Sequence, residues 1–82
     1  MNQHHTVQHL TFEASWLILT VDGETIRVPI KQASNRLAQA SETERQVYRV
    51  SPSGYGIHWP MIDEDLSIDG LLKLAQTQQA VI

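Results

Sequence analysis

The sequence predicts an α+β domain. A small antiparallel sheet of two hairpins, with a further strand possible at the N-terminal end, is packed by a C-terminal helix and a short middle helix. Three observations predict it. Asp22-Gly23 stands between two apolar runs, Ser15–Val21 and Glu24–Ile30. Ser51-Pro52-Ser53-Gly54 separates two further runs rich in β-branched and aromatic residues, Val47–Val50 and Tyr55–Trp59. Ser67 opens a stretch whose apolar residues recur at helical spacing.

Asp-Gly tolerates positive φ at both central positions, as a two-residue type I′ hairpin turn requires. Closing the chain there sets Leu19 opposite Ile26 and Leu17 opposite Val28, all on one face. Arg27, Thr25, Ile18 and Thr20 fall on the other. Hydrophobic pattern and turn agree on this register. His5 to Phe12 alternates less cleanly and reads as a third strand. Pro29 has no amide hydrogen to give a ladder, so the second strand ends there or lies at an edge.

Ile30, Ala33, Leu37 and Ala40 then predict a short helix within Lys31–Gln39. Ser41 followed by Glu44 has the form of a capping box, opening a turn or short helix over Glu42–Arg45. In the second hairpin a four-residue loop sets Val50 opposite Tyr55 and Tyr48 opposite Ile57, and Pro60 stops the strand. Ser67 is a good N-cap and Asp69 complements the helix dipole. Ile68, Leu71, Leu72 and Ala75 form one apolar stripe. Beyond Ala75 the chain is polar and expected to fray.

These elements make one domain over residues 1–82, with a core region of about 15–72 and loose ends at 1–4 and 76–82. Eighty-two residues support a single modest core. With two Trp, two Tyr and one Phe, that core relies on Leu, Ile and Val. Net stability is expected to be small, so a partner or a homodimer would supply missing burial. The chain has no cysteine, which excludes disulfides and thiolate metal sites and favours a reducing, cytoplasmic setting. The formal net charge is -3, and the six basic residues form no stripe, so direct nucleic-acid binding is not expected. No apolar run approaches the ~20 residues of a membrane span, and the first ten residues lack a signal-peptide core.

His58, Asp63, Glu64 and Asp65 are candidates for metal binding or acid–base chemistry. The structural alternative is preferred: His58 on the outer face of a strand, with Asp63 and Asp65 in turn positions, accepting backbone amides before the helix. No serine sits in a nucleophile-elbow context. His4, His5 and His9 could be a terminal metal site. Yet His5 and His9, four positions apart on a strand, would be about 13 Å distant. Trp59 alternates with Ile57 and Tyr55 and reads as core, with a partner interface as its alternative. No catalytic residue, metal or cofactor is assigned.

Several of these stretches resemble an uncharacterised bacterial family, domain of unknown function 2442. The resemblance rests on Asp22-Gly23, Val28-Pro29-Ile30, Arg36-Leu37 with Ala40-Ser41, and Glu44-Arg45. It continues through Gly56-Ile57-His58-Trp59-Pro60 and Asp63-Glu64-Asp65-Leu66-Ser67 to Gly70-Leu71-Leu72. Asn35 stands where many relatives carry proline. The resemblance implies a small α+β fold, one that can precede a helix-turn-helix in longer proteins. It also implies a genetic neighbourhood like that of toxin–antitoxin pairs. It carries over no catalytic residues, leaving Trp59, Asp63, Glu64 and Asp65 as family-motif residues and candidates for interaction. The leading expectation is therefore a non-enzymatic interaction module, antitoxin-like, with a small protein partner. A regulatory module near nucleic acid is the alternative. A metal-dependent enzyme using His58, Asp63 and Asp65 is the third reading.

Overall fold

The computed structural model describes residues 5–79. Of the loose ends expected at 1–4 and 76–82, residues 1–4, His4 among them, and 80–82 lie outside the described residues. Strands β1 (Val7–Glu13), β2 (Trp16–Val21) and β3 (Glu24–Pro29) form one antiparallel sheet in that order. Three short helices follow: α1 (Ile30–Ala33), α2 (Asn35–Ala38) and α3 (Glu42–Gln46). Strands β4 (Arg49–Val50), β5 (Gly56–Trp59) and β6 (Glu64–Ser67) make a second antiparallel sheet, and α4 (Ile68–Gln79) ends the described chain. The α+β class holds, but the two hairpins belong to separate sheets rather than to one.

The first hairpin has the expected register, with Leu17 opposite Val28 and Leu19 opposite Ile26. Both turn residues take positive φ, Asp22 at 53° and Gly23 at 85°, as type I′ demands. The third strand is present as β1. Its register slips by one residue between Gln8 and Thr11, and His9 sits at φ 53° in that bulge. The bulge explains the poor alternation, because an extra residue flips the face of everything beyond it. Pro29 closes β3, an outer strand.

The middle helix is broken in two at Ser34, which is extended (φ -164°, ψ 117°). Serine competes for backbone groups, and here its Oγ accepts the Leu37 amide at 3.0 Å to start a new helix. The capping box is formed in both directions: Ser41 N donates to Glu44 Oε1 at 2.8 Å, and Glu44 N to Ser41 Oγ at 3.1 Å. The register of the second hairpin differs from the expected one. Val50 faces Ile57 and Arg49 faces His58, two residues out of step with a four-residue loop. The cause is Ser51. Its Oγ accepts the Tyr55 and Gly56 amides, while its own amide bonds the Gly56 carbonyl at 2.9 Å. The loop thereby widens, and Tyr55 is expelled from the strand to the surface.

Strand β6 was not anticipated. Asp65 lies within it rather than in a turn, so the expectation that this carboxylate holds backbone amides fails. Asp63 does occupy the turn, at φ 52°. The Ser67 cap is present, with Gly70 N donating to Ser67 Oγ at 2.9 Å. Helix α4 continues past Ala75 to Gln79. One core serves both sheets: Leu17, Leu19 and Val28 from the first, Ile57 and Trp59 from the second, closed by Ile30, Leu37 and Ile68. Among the described residues no helix is long and apolar enough to cross a membrane.

Candidate functional site

Two constellations involve the residues singled out by sequence. The first is internal. Trp59 is fully buried, and its indole Nε1–H donates to the Arg45 carbonyl at 3.0 Å. A buried tryptophan needs such a partner for its one polar atom. Tyr48 leans on the same ring, with centroids 6.1 Å apart. The Arg45 guanidinium donates from Nε to Leu37 O (3.1 Å) and from Nη2 to Ala38 O (3.0 Å), and its carbon lies 5.3 Å from the centre of the Phe12 ring. Arg36 donates to the carbonyls of Asp63 (2.8 Å) and Ile62 (3.4 Å). Ser34 donates from Oγ to the Glu64 carboxylate, whose other oxygen accepts the Asp65 amide at 3.0 Å.

The bonds of Ser34 to Glu64, of Arg36 to Ile62 and Asp63, and of Trp59 to Arg45 join the Ser34–Arg45 segment to the Trp59–Asp65 segment. Glu64, Trp59 and the turn at Asp63 are thus used to fasten helices α2 and α3 onto the second sheet. The Glu64 carboxylate accepts one bond on each oxygen, a serine hydroxyl on one and a backbone amide on the other.

The second constellation faces outward. The faces of β4, β5 and β6 alternate, so Ile57 and Trp59 point inward while Arg49, His58 and Asp65 line up across the outer face. His58 Nδ1 lies 2.9 Å from Asp65 Oδ1, the two being direct cross-strand partners. Their side chains are 37% and 76% exposed, so this is a surface pair rather than an enclosed dyad. A groove of about 580 Å³ runs over this face, bordered by Arg49, Pro52, Tyr55, His58 and Asp65. Tyr55 stands 60% exposed at its lip. Two serines also line the groove, and both hydroxyl oxygens accept backbone amides: Ser51 from Tyr55 and Gly56, Ser67 from Gly70.

Several of the residues that carry the family resemblance, Arg36, Arg45, Trp59, Asp63 and Glu64, take part in this fastening. The model of a family described as protein of unknown function DUF2442 matches residues 7–77. The chain belongs to that family. No curated protein and no solved structure matches it. Membership of DUF2442 supplies no chemistry of its own, so the geometry has to be read directly.

His58 and Asp65 are brought together, whereas Asp63 is held apart in the turn. Among the described residues no three histidine, aspartate or glutamate side chains are placed to share a metal ion. His5 precedes β1 and His9 occupies the bulge, so the two are not placed along one regular strand. Tyr55 was assigned to the inner face with Ile57 and lies instead outside the strand. The signal for its exposure was present in Ser51, whose short hydroxyl side chain favours local amide capture over a tight four-residue turn.

Proposed function

We propose that this protein is a non-enzymatic interaction module that engages a small protein partner through the groove over β4, β5 and β6. The observation that carries the reading is Tyr55, a large aromatic side chain held 60% exposed at the lip of a concave surface. Aromatic residues with one apolar face and one polar tip are enriched at interface centres. The groove supplies a mixed rim as well, with Arg49 at one end and Asp65 at the other. A partner of either sign can be oriented there by charge and held by the tyrosine.

The antitoxin-like role rests on the genetic neighbourhood that the family resemblance implies, with the encounter placed by this reading in the cytoplasm. A net charge of -3 without a basic stripe speaks for a protein partner over nucleic acid. The engaged serines at the groove speak for recognition over hydrolysis.

The test is a photo-crosslinking residue placed at Tyr55 in the cell of origin, with the same residue at Glu24 on the opposite hairpin as control. One discrete adduct with a small protein at position 55, absent at 24, is expected. The recombinant pair should then lose about tenfold or more in affinity on Tyr55→Asp. An adduct of twice the chain's own mass would identify the homodimer instead. Equal labelling at both positions, or none, defeats the proposal.

A further inference from the structure

Among the described residues, His5 is the one histidine set between two carboxylates from distant parts of the chain. Its Nδ1 lies 2.8 Å from Asp22 Oδ2 in the β2–β3 turn, and its Nε2 lies 3.0 Å from Asp69 Oδ1 in the first turn of α4. The ring is 13% exposed, against 52% and 58% for the two carboxylates. The backbone is fastened at the same place. His5 N donates to Ser53 O at 3.0 Å, Thr6 N donates to Asp22 Oδ1 at 2.8 Å, and Asp22 N returns a bond to Thr6 O at 2.9 Å. Gly54 passes so close that a Cβ there would overlap the His5 carbonyl at 1.7 Å. His5 therefore touches the first sheet's turn, the 51–56 loop of the second sheet and the start of α4.

We propose that His5 is a protonation-controlled clasp that ties the start of β1 to helix α4 and to the loop beside the groove. Each ring nitrogen faces a carboxylate oxygen, and an ionised carboxylate only accepts. Both contacts are hydrogen bonds only in the imidazolium, which has two N–H groups. A neutral ring has one N–H and one lone pair, so one of its two contacts becomes a lone pair against an anion and must open.

Which contact opens also follows from the geometry. Asp22 is fixed by the Thr6 amide as well as by His5, whereas Asp69 stands on an exposed helical turn. The neutral ring keeps its proton on Nδ1, toward Asp22, and releases Asp69. Among the described residues, the charged groups that face His5 are Asp22 and Asp69. The 51–56 loop presents the Ser53 carbonyl and the Gly54 backbone.

The bond from Asp22, then that from Asp69, raises the His5 pKa above its ordinary 6.5, with partial burial opposing. A raised folded-state pKa means the clasp contributes fully below about 6.5 and is lost as pH rises through the folded value. The His5 and Thr6 bonds hold Asp22 below its ordinary 3.8, so on the acid side the contribution fades only as pH falls through that lowered value. The clasp is closed between those two limits.

Nitrogen-detected histidine titration and amide exchange of the whole chain test this together. His5 should titrate above the ordinary histidine range, and its high-pH form should carry the proton on Nδ1. Asp22→Asn and Asp69→Asn should each lower the midpoint. Protection factors at His5 and Gly54, corrected for intrinsic exchange, should fall roughly three- to tenfold as His5 deprotonates, the loss of one hydrogen bond. In His5→Gln they should be flat across the same range. A His5 midpoint at or below the ordinary value, a midpoint unmoved by either aspartate variant, or protection that does not track the titration overturns the clasp.

Discussion

The two sheets close their hairpins by different means, and the difference decides how much each depends on the rest of the chain. In the first sheet, β2 and β3 are joined by two residues whose backbone angles fit the register that the apolar pattern also favours. In the second, β4 is only two residues long, and the loop after it is shaped by the Ser51 side chain. Its other strands are fastened from outside, by Ser34 on Glu64, Arg36 on the carbonyls of Ile62 and Asp63, and Arg45 on the Trp59 indole. The first hairpin is a local structure that the core then buries. The second is fastened by groups of α2 and α3 and of the Ser34 cap between α1 and α2. Elements that need distant partners form later and open more easily.

The largest expected effect attacks the core that both sheets share. Trp59→Ala removes a fully buried indole and strands the Arg45 carbonyl, at a cost of about 3–5 kcal/mol. That approaches the whole stability available to a chain of this size. Urea unfolding followed by Trp16 fluorescence should show little or no cooperative transition at 25 °C. Exchange protection at Leu19 and Ile26 that survived the substitution would show the first hairpin to be even more independent than its turn implies.

A smaller effect separates the sheets. Ser34→Ala removes both the α2 cap and the hydroxyl donor of Glu64, costing about 1–3 kcal/mol. Amides of β6 should exchange faster while those of β2 and β3 keep their relative protection. An equal loss in both sheets would erase the distinction between local and distant fastening. The smallest effect belongs to the turn. Gly23→Ala meets nothing within 4 Å, so only its positive φ resists, at roughly 1 kcal/mol. Thermal denaturation should show a modest drop with the Leu19–Ile26 pairing intact.

The same contrast explains what could be read from sequence. Asp22-Gly23 states its turn type in two letters, and the Ser41–Glu44 box and the Ser67 cap are signals contained within four residues. The break at Ser34 and the existence of β6 were not legible, because each depends on the other: Ser34 turns out of the helix where Glu64 receives its hydroxyl, and Glu64 lies thirty residues away. At the candidate site, Asp65 was read as a turn residue for want of knowing that its neighbour across a ladder is His58. The clasp at His5 was invisible for the same reason. Its two carboxylates lie 17 and 64 residues along the chain, and no local pattern connects them.

The bulge at His9 has an effect on the life of the protein in a crowded solution. A straight outer strand is a template on which further copies can polymerise through their backbones. Here β1 is kinked at mid-length, β3 is cut off by Pro29, β4 spans two residues, and β6 carries Glu64 and Asp65. None offers a long flat rim for fibril growth. A tyrosine and a groove thus stand open on one face beside edges that present little template for backbone pairing.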